Sequence, residues 1–246
     1  MLILLPPSET KHLGGTGDPL DLARLSWPEL TAVRTRLVDE VTILAKDPVA
    51  ARAALGLSPA QDDQIELDRR LVESPTMPAL RRYTGVLYDA FDAGSLKRPA
   101  LARAESRIAV SSALFGLVRA ADPIPAYRLS AGSVLPGTGR LTGLWRPAVE
   151  PVLAGLTELI VDLRSGAYAE LARCRDAVTV RVLTEQPDGR RTVVSHFSKA
   201  TKGVLARALA TAPREPLSLR GICAIARRAG LAIEQTGPAT LDVLTI

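Results

Sequence analysis

The chain has 246 residues, of which 47% are hydrophobic and only 4% aromatic, so it can bury a sizeable aliphatic core and is not expected to be disordered. Its two cysteines and two histidines lack the spacing of zinc ligands, so we expect reduced thiols, no metal site and no cofactor. No apolar run reaches the roughly 18 residues of a membrane span, and the first residues lack the basic region of a signal peptide, which predicts a cytoplasmic protein.

The first half of the chain begins with a short apolar strand and continues with helices. Residues 2–5 read Leu-Ile-Leu-Leu and end at Pro6-Pro7, which is typical of a buried strand. Apolar residues at helical spacing predict helices at 28–47, 84–94 and 97–105, with shorter helical pieces between the first two. A second apolar run predicts a buried strand at 107–113.

The second half alternates helices with strands. Helices are predicted at 145–156 and 199–212, and strands at 158–163, 177–186 and 191–197, with two more around Gly237-Pro238. The Pro-Asp-Gly sequence between the strands at 177–186 and 191–197 indicates a hairpin. Because no linker or repeat interrupts the chain, we predict one compact mixed α/β domain over 1–246, with helices around a central mixed sheet.

The net charge of +5 is unevenly distributed along the chain. Residues 164–228 hold 13 Lys or Arg and 5 Asp or Glu, a net charge of +8, while the rest of the chain has a net charge of −3. Such an asymmetry predicts one basic face and a polyanionic partner. The alternative is a solvated basic face with nothing bound to it.

Motifs of nucleophilic catalysis and nucleotide binding have little support. Residues Ser8 to Lys11 match the S-x-x-K motif of penicillin-recognising enzymes, but the companion K-T-G and S-D-N motifs are missing. The chain has no G-x-S-x-G elbow, and its glycines do not form a Walker loop or a dinucleotide-binding fingerprint. We therefore expect no familiar catalytic triad.

Three polar segments follow predicted strands, where open α/β sheets usually bind ligands. They carry Arg119, Asp122, Tyr127 and Arg128 in the first, Arg164, Ser165 and Tyr168 in the second, and Lys199 and Lys202 in the third. Arginine can hold a phosphate through two hydrogen bonds, and a helix start attracts anions. Each of these three segments is therefore a candidate anion-binding element. The alternatives are a structural Arg–Asp pair involving Asp122, and solvated lysines.

Blocks of distinctive sequence run in order along nearly the whole chain. They read MLILLPPSETK at 1–11, YTGVLYDAF at 83–91, SSALFGLVRAADPIPAYRL at 111–129, GLWRPAVEPVL at 143–153, VDLRSGAYAEL at 161–171 and VSHFSKATKGVLARAL at 194–209. Together they resemble the peroxide stress protein YaaA family. The resemblance implies a cytoplasmic protein of the oxidative stress response, associated with limiting free iron and with binding DNA. It also implies a compact α/β fold with a helix-hairpin-helix element and a positively charged cleft.

The resemblance and the strand–helix junctions together predict a shared anion-binding cleft lined by Arg119, Arg128, Lys199, Lys202, Tyr127, Ser165 and Tyr168. The positions that match the family's polar pattern add supporting residues to this cleft. They are Tyr83, Tyr88, Ser112, Gly116, Arg119, Asp122, Tyr127, Arg128, Trp145, Asp162, Ser165, Tyr168, Ser195, Lys199, Gly203 and Arg207. We expect Asp122, Arg164, Ser195 and Arg207 to support the anion-binding residues. Glu9 departs from the family, where a common form has lysine. The helix-hairpin-helix element should fall within 48–74, but Asp62, Asp63, Glu66 and Asp68 in this segment weaken the case that it contacts phosphates.

Two functions are therefore predicted. The first is a stress-protection protein without turnover that binds duplex DNA in a basic cleft. The second is an enzyme that acts on a small phosphorylated or nucleotide-like substrate in the same cleft, with an aspartate or a lysine of lowered pKa as the base. An open groove that is basic along its length would favour DNA, and a closed apolar pocket would favour the enzyme. Neither function involves a membrane, and the sequence does not fix the oligomeric state.

Overall fold

The computed structural model describes residues 1–185, 190–192 and 195–245. Strands within these ranges are β1 (Leu2–Leu5), β2 (Met77–Pro78), β3 (Ile108–Ser112), β4 (Gly116–Arg119), β5 (Pro123–Ile124), β6 (Val134–Leu135), β7 (Gly139–Arg140), β8 (Ile160–Asp162), β9 (Val178–Glu185), β10 (Arg191–Thr192), β11 (Ala232–Gly237) and β12 (Thr240–Thr245). Eight of them form one sheet, and the other four form two small two-stranded sheets.

Ten α-helices are found in the same ranges. They are α1 (Thr31–Leu44), α2 (Pro48–Leu55), α3 (Asp62–Arg69), α4 (Ala79–Arg82), α5 (Val86–Phe91), α6 (Arg98–Arg107), α7 (Leu141–Ala154), α8 (Gly166–Leu171), α9 (Ser195–Thr211) and α10 (Leu219–Arg228). None of these helices combines the length and apolarity that crossing a bilayer requires.

The main sheet is mixed, with the order β11-β12-β9-β8-β1-β3-β4, and β10 pairs with β9. The five strands β12, β9, β8, β1 and β3 are parallel, while β4, β10 and β11 run antiparallel to their partners. The strand β1 is fully buried between β8 and β3, which explains its unbroken apolar sequence. The predicted mixed α/β class with a central mixed sheet is confirmed.

One predicted strand gives way to a helix at its end. The sequence predicts strand over 191–197; among the described residues β10 covers Arg191–Thr192 and α9 begins at Ser195, so the prediction is wrong at 195–197, while 193–194 lie outside the described residues. The antiparallel pairing of β9 with β10 agrees with the predicted hairpin, whereas its Pro-Asp-Gly turn lies outside the described residues. The sequence at 193–197 favours a strand by its composition, although it borders the amphipathic pattern of α9.

The segment expected to hold the helix-hairpin-helix element contains α2, a single 3₁₀ turn at Pro59–Gln61, and α3. Gly56 ends α2 with φ of +66°, a left-handed conformation that favours glycine. Arg52 of α2 forms a two-point ion pair with Asp62 at the start of α3, with N–O distances of 2.7 and 2.6 Å. A role of this segment in binding DNA stays a prediction.

A glycine fixes the packing of α7 against the β3–β4 turn. Gly116 has φ of +72°, and a Cβ at this position would lie 2.4 Å from the Trp145 ring. Trp145 is buried and donates its indole N–H to the Ala113 carbonyl at 2.7 Å. Only glycine combines this backbone conformation with this close approach.

We propose that residues 1–246 fold as one unit, because the main sheet takes strands from both ends of the chain. Limited proteolysis is expected to give no fragment that keeps cooperative unfolding by itself. The measurement is circular dichroism of purified fragments during heating, and two separately folding halves would contradict the proposal.

Candidate functional site at the carboxyl edge of the sheet

The carboxyl ends of three parallel strands lie side by side. In register, Leu5 of β1 pairs with Val110 of β3, and Leu4 pairs with Asp162 of β8. The chain therefore leaves the sheet at neighbouring points into the segments after Leu5, Ser112 and Asp162. This edge is where α/β sheets usually bind ligands.

A chain of three buried hydroxyl groups lies at this edge. The Tyr127 hydroxyl is 2.8 Å from the Ser112 Oγ and 2.9 Å from the Tyr83 hydroxyl. All three side chains are buried, and burial raises the pKa of Tyr83 to about 12 and that of Tyr127 well above its usual value. The phenols are therefore neutral, and they act here as hydrogen-bonding groups rather than as phenolates.

Lys11 extends over this hydroxyl chain. Its Nζ lies 4.2 Å from the centre of the Tyr127 ring and 5.5 Å from that of Tyr83. The same nitrogen donates to the carbonyls of Ser8 at 3.1 Å and Glu9 at 3.3 Å. Burial, followed by repulsion from Arg128, lowers the pKa of Lys11 to about 7. This amine therefore exchanges a proton near neutral pH, where an ordinary lysine stays charged.

Asp68 of α3 is a second unusual ionisable group beside Lys11. Its side chain is fully buried, and burial raises its pKa to about 8. Its Oδ1 accepts the backbone N–H of Arg128 at 2.7 Å, whereas Oδ2 has no hydrogen-bond partner among the described residues. The carboxyl group is thus protonated at neutral pH, and its O–H is a donor that the described residues leave without an acceptor.

Arg128 and Tyr168 lie at the same place. The Arg128 guanidinium makes an ion pair with Glu9 at 3.2 Å, and its side chain is 13% exposed while that of Glu9 is 71% exposed. Burial raises the pKa of the Tyr168 phenol, which also interacts electrostatically with Glu9 and Arg128. The structure therefore brings together three of the predicted residues, Tyr127, Arg128 and Tyr168.

The predicted residues after β8 form a structural ion pair. Arg164 makes a two-point contact with Asp162, with N–O distances of 2.9 and 2.7 Å, and donates to the Ala172 carbonyl at 2.9 Å. Its side chain is 1% exposed, so it has little surface for a ligand. Ser165 is exposed at the start of α8, where its side chain makes no capping hydrogen bond. Arg164 therefore supports the junction rather than a bound anion.

The cations of α9 have different surroundings. The Lys202 Nζ donates to the carbonyls of Leu163 and Arg164 at 3.0 and 3.2 Å, which attaches α9 to the end of β8. Burial lowers the pKa of Lys202. Arg207 donates to the Asp92 carbonyl at 2.6 Å and to the Ser95 hydroxyl at 2.7 Å, so it fixes the segment after α5. Lys199 is exposed on α9, and Ser195 is the first residue of that helix.

Arg119 and Asp122 lie at the opposite edge of the sheet, contrary to the predicted convergence. Arg119 pairs with Ala109 near the start of β3, three residues before Ser112, which separates it from the hydroxyl chain by about 10 Å along the strand. Its guanidinium donates to the Ser106 carbonyl and stacks on Trp27. The reason is that β4 turns back, so its last residue returns to the amino end of β3.

Asp122 does not hold either arginine side chain. Its carboxylate accepts the Ser26 hydroxyl at 2.7 Å and the backbone N–H groups of Ser26 and Arg119, both at 3.0 Å. It therefore organises two loops at the amino edge. Anion binding stays a prediction for the other lining residues, which are Tyr127, Arg128, Ser165, Tyr168, Lys199 and Lys202.

Sequence reasoning missed Lys11 and Asp68 as site residues. The sequence places Lys11 in the S-x-x-K motif and as a substitute for the family's lysine at the Glu9 position, and Asp68 among the acidic residues of the expected helix-hairpin-helix segment. A signal for Asp68 was present, because it lies three residues after the apolar Ile65, which places both side chains on one face of the helix. No comparable signal exists for Lys11, whose surroundings come from residues far along the chain.

A cavity of about 530 Å³ borders the chain of hydroxyl groups on the side of Tyr83. Its lining includes Tyr83, Tyr88, Thr84, His12 and Arg81. The Tyr88 hydroxyl donates to the Pro6 carbonyl at 2.8 Å, which ties α5 to the segment after β1. This cavity places open space next to the buried phenols.

Neither cysteine has the properties of a peroxide-reactive thiolate. Cys174 is partly buried and Cys223 is buried, and burial raises the pKa of both thiols. Since the thiolate is the reactive form, hydrogen peroxide should oxidise both slowly at neutral pH. Peptide mass mapping after peroxide treatment is expected to show both as unmodified thiols, with the same chain unfolded in denaturant as the reactive control. Rapid sulfenic or sulfinic acid formation at Cys174 in the folded protein would contradict this.

Comparison with known proteins identifies the family. The family model described as peroxide stress protein YaaA matches residues 1–232. A UPF0246 protein of Corynebacterium efficiens is 50% identical over 238 residues, which cover 95% of each chain. A UPF0246 protein of Streptomyces coelicolor is 42% identical over 258 residues, covering 99% of this chain and 98% of the relative. The chain therefore belongs to the peroxide stress protein YaaA family, as its sequence blocks led us to expect.

Proposed function

We propose that this protein acts in the cytoplasm as a stress-protection protein that binds duplex DNA, mainly through phosphate contacts. The observation that carries the proposal is the row of exposed arginines on α10. Arg220, Arg227 and Arg228 lie on the exposed face of this helix, opposite the buried Ile222 and Cys223. Positions spaced by seven and eight residues share one face of a helix, so the three charges form one patch.

These arginines differ from the cations first predicted to bind. Within the described ranges, no carboxylate lies in ion-pair distance of Arg220, Arg227 or Arg228, although Arg227 donates to the Ile233 carbonyl at 2.8 Å. Arg164 and Lys202, by contrast, donate their hydrogen bonds to groups within the fold, namely the Asp162 carboxylate and the Leu163 carbonyl. Exposed cations without carboxylate partners can release DNA counterions at little cost to folding. We therefore assign the phosphate contacts to α10 rather than to the β8 junction.

A double substitution tests this assignment. Replacing Arg220 and Arg228 by glutamine is expected to weaken duplex binding about tenfold at about 50 mM salt and to lower the slope of log K against log salt by about 2. The matched control is Arg70→Gln with Arg98→Gln, two exposed arginines elsewhere with the same loss of charge. Fluorescence anisotropy over several salt concentrations gives both quantities. Equal effects of the two double variants would contradict a specific role of α10.

We propose further that any limitation of free iron by this protein does not depend on a tight iron site in the chain. Among the described residues, no group of three or more His, Cys, Asp or Glu side chains is placed to hold a metal ion. Calorimetric titration with ferrous iron at neutral pH is expected to show no stoichiometric high-affinity binding. One tight site per chain would contradict this.

A second candidate function is an enzyme that acts on a small phosphorylated or nucleotide-like substrate. The pKa of Lys11, about 7, favours it, because a general base works best when its pKa lies near the working pH. Turnover that disappears in Lys11→Met and persists in the α10 double variant would support the enzyme over the DNA-binding protein.

A further inference from the structure

The strongest unassigned feature is the group of ionisable side chains around Lys11. Lys11 faces the positive charges of Arg128 and Arg82, the carboxyl groups of Asp68 and Glu9, and the phenols of Tyr83 and Tyr127. Asp68 in turn faces Lys11 and Arg128. Since Asp68 is neutral at pH 7, the exposed Glu9 carboxylate is the one negative charge among these groups. The cluster therefore carries an excess of positive charge.

Two donors in this cluster have unused capacity. The protonated Asp68 Oδ2 has no hydrogen-bond partner among the residues described. Arg128 has a single side-chain ion pair, the contact of its Nη1 with Glu9 at 3.2 Å. Buried donors normally have acceptors, so these groups are suited to an added anionic oxygen.

Glu9 shows what kind of group fits. Its carboxylate already contacts the Arg128 guanidinium, yet its side chain is 71% exposed and lies on the short segment after β1. An exposed ion pair of this kind is worth little, so an external anion can replace it.

We propose that Lys11, Asp68 and Arg128 form a binding site for a small oxyanion, a carboxylate or a phosphate group, in which Glu9 occupies the place of the ligand until it is displaced. The anion accepts from the Arg128 guanidinium, the Lys11 ammonium and the Asp68 hydroxyl. This site is separate from α10 and does not depend on DNA binding.

Protonation makes the site dependent on pH. An anion binds the charged form of Lys11 and the neutral form of Asp68, and both forms are lost as pH rises. The Lys11 pKa of about 7 predicts that affinity falls about tenfold between about pH 6 and pH 8, because the unbound amine loses its proton over this range. Acetate is the suitable probe, since its carboxylate stays ionised throughout.

Isothermal titration calorimetry with acetate and with inorganic phosphate tests the proposal. Wild type is expected to bind one equivalent of at least one of them, and the tighter of the two identifies the preferred group. Glu9→Gln should strengthen binding about three- to fivefold, as expected for the loss of an exposed ion pair, while the exposed control Glu73→Gln should leave it unchanged. Lys11→Met should weaken binding about ten- to hundredfold, and Lys11→Arg should retain it.

Circular dichroism confirms that each variant is folded before titration. Asp68→Asn keeps a donor and an acceptor at this position, so it should still bind at about pH 6, whereas Asp68→Ala should not. The proposal is overturned if folded wild type binds neither anion saturably. It is equally overturned if Lys11→Met binds as wild type does, or if Glu9→Gln and Glu73→Gln have the same effect.

Discussion

Gly203→Ala is expected to destabilise the protein by about 2–3 kcal/mol, because α9 and α5 touch at this position and leave no room for a methyl group. A Cβ on Gly203 would lie 2.2 Å from the Leu87 carbonyl oxygen and 2.8 Å from the Ala90 Cβ. The nearest atom belongs to backbone, which cannot move aside as a flexible side chain can. The two helices must therefore separate, which loosens the segment that carries Tyr88 and the attachment of α9 to β8.

Gly143→Ala is the matched control for this substitution. Gly143 lies inside α7, and a Cβ there would meet no atom within 4 Å. Alanine favours a helix over glycine by up to about 1 kcal/mol, so this variant should be slightly more stable than wild type. Urea unfolding measures both effects. Stabilisation by Gly203→Ala would show that α9 and α5 are not packed as closely as described.

Asp68→Asn is expected to change how stability depends on pH. The pKa of Asp68 is raised by burial from 3.8 to about 8 in the folded state. A carboxyl group with a raised pKa stabilises the folded state below its unfolded pKa, and that contribution is lost as pH rises toward the folded pKa. Asparagine does not titrate, so the variant should gain about 3–4 kcal/mol over wild type between about pH 5 and pH 8.

Lys11 contributes in the opposite direction over a different range. Its pKa is lowered from 10.5 to about 7, so its contribution to stability rises with pH between these values in both proteins. Because Asp68 also acts on the Lys11 pKa, the difference in unfolding free energy between Asp68→Asn and wild type reports on Asp68 most directly at pH values below the Lys11 pKa, where Lys11 is charged in both proteins. Urea unfolding at several pH values gives this difference. A difference that is constant with pH would mean that Asp68 is ionised in the folded protein.

Much of the fold is predictable from local sequence. The strand β1 is apolar throughout and β3 begins with three apolar residues because both strands are buried, and α1 shows helical spacing of its buried residues. The strand predicted at 191–197 is wrong at 195–197, where α9 begins, because a short apolar run fits a strand and a helix start equally well. Such boundaries depend on tertiary contacts that the local pattern does not contain.

The candidate site is less predictable, because its chemistry comes from distant parts of the chain. Tyr127, Arg128 and Tyr168 were predicted and do lie together, but their neighbours Lys11 and Asp68 are more than fifty residues apart in sequence. Arg119 was grouped with Arg128 because they are close in sequence. The antiparallel return of β4 places it at the other edge of the sheet. Charge and spacing thus indicated a site, but they did not show which cations form hydrogen bonds within the fold and which can contact a ligand.

At the carboxyl edge of the sheet, Lys11 is expected to titrate near neutral pH. The chain has five lysines, so NMR of protein labelled at the lysine side chains can follow each Nζ group separately during a pH titration. We expect one lysine with a pKa of about 7, whose signal is missing from Lys11→Met. A Lys11 signal that titrates near the ordinary lysine value of about 10.4 would contradict the account.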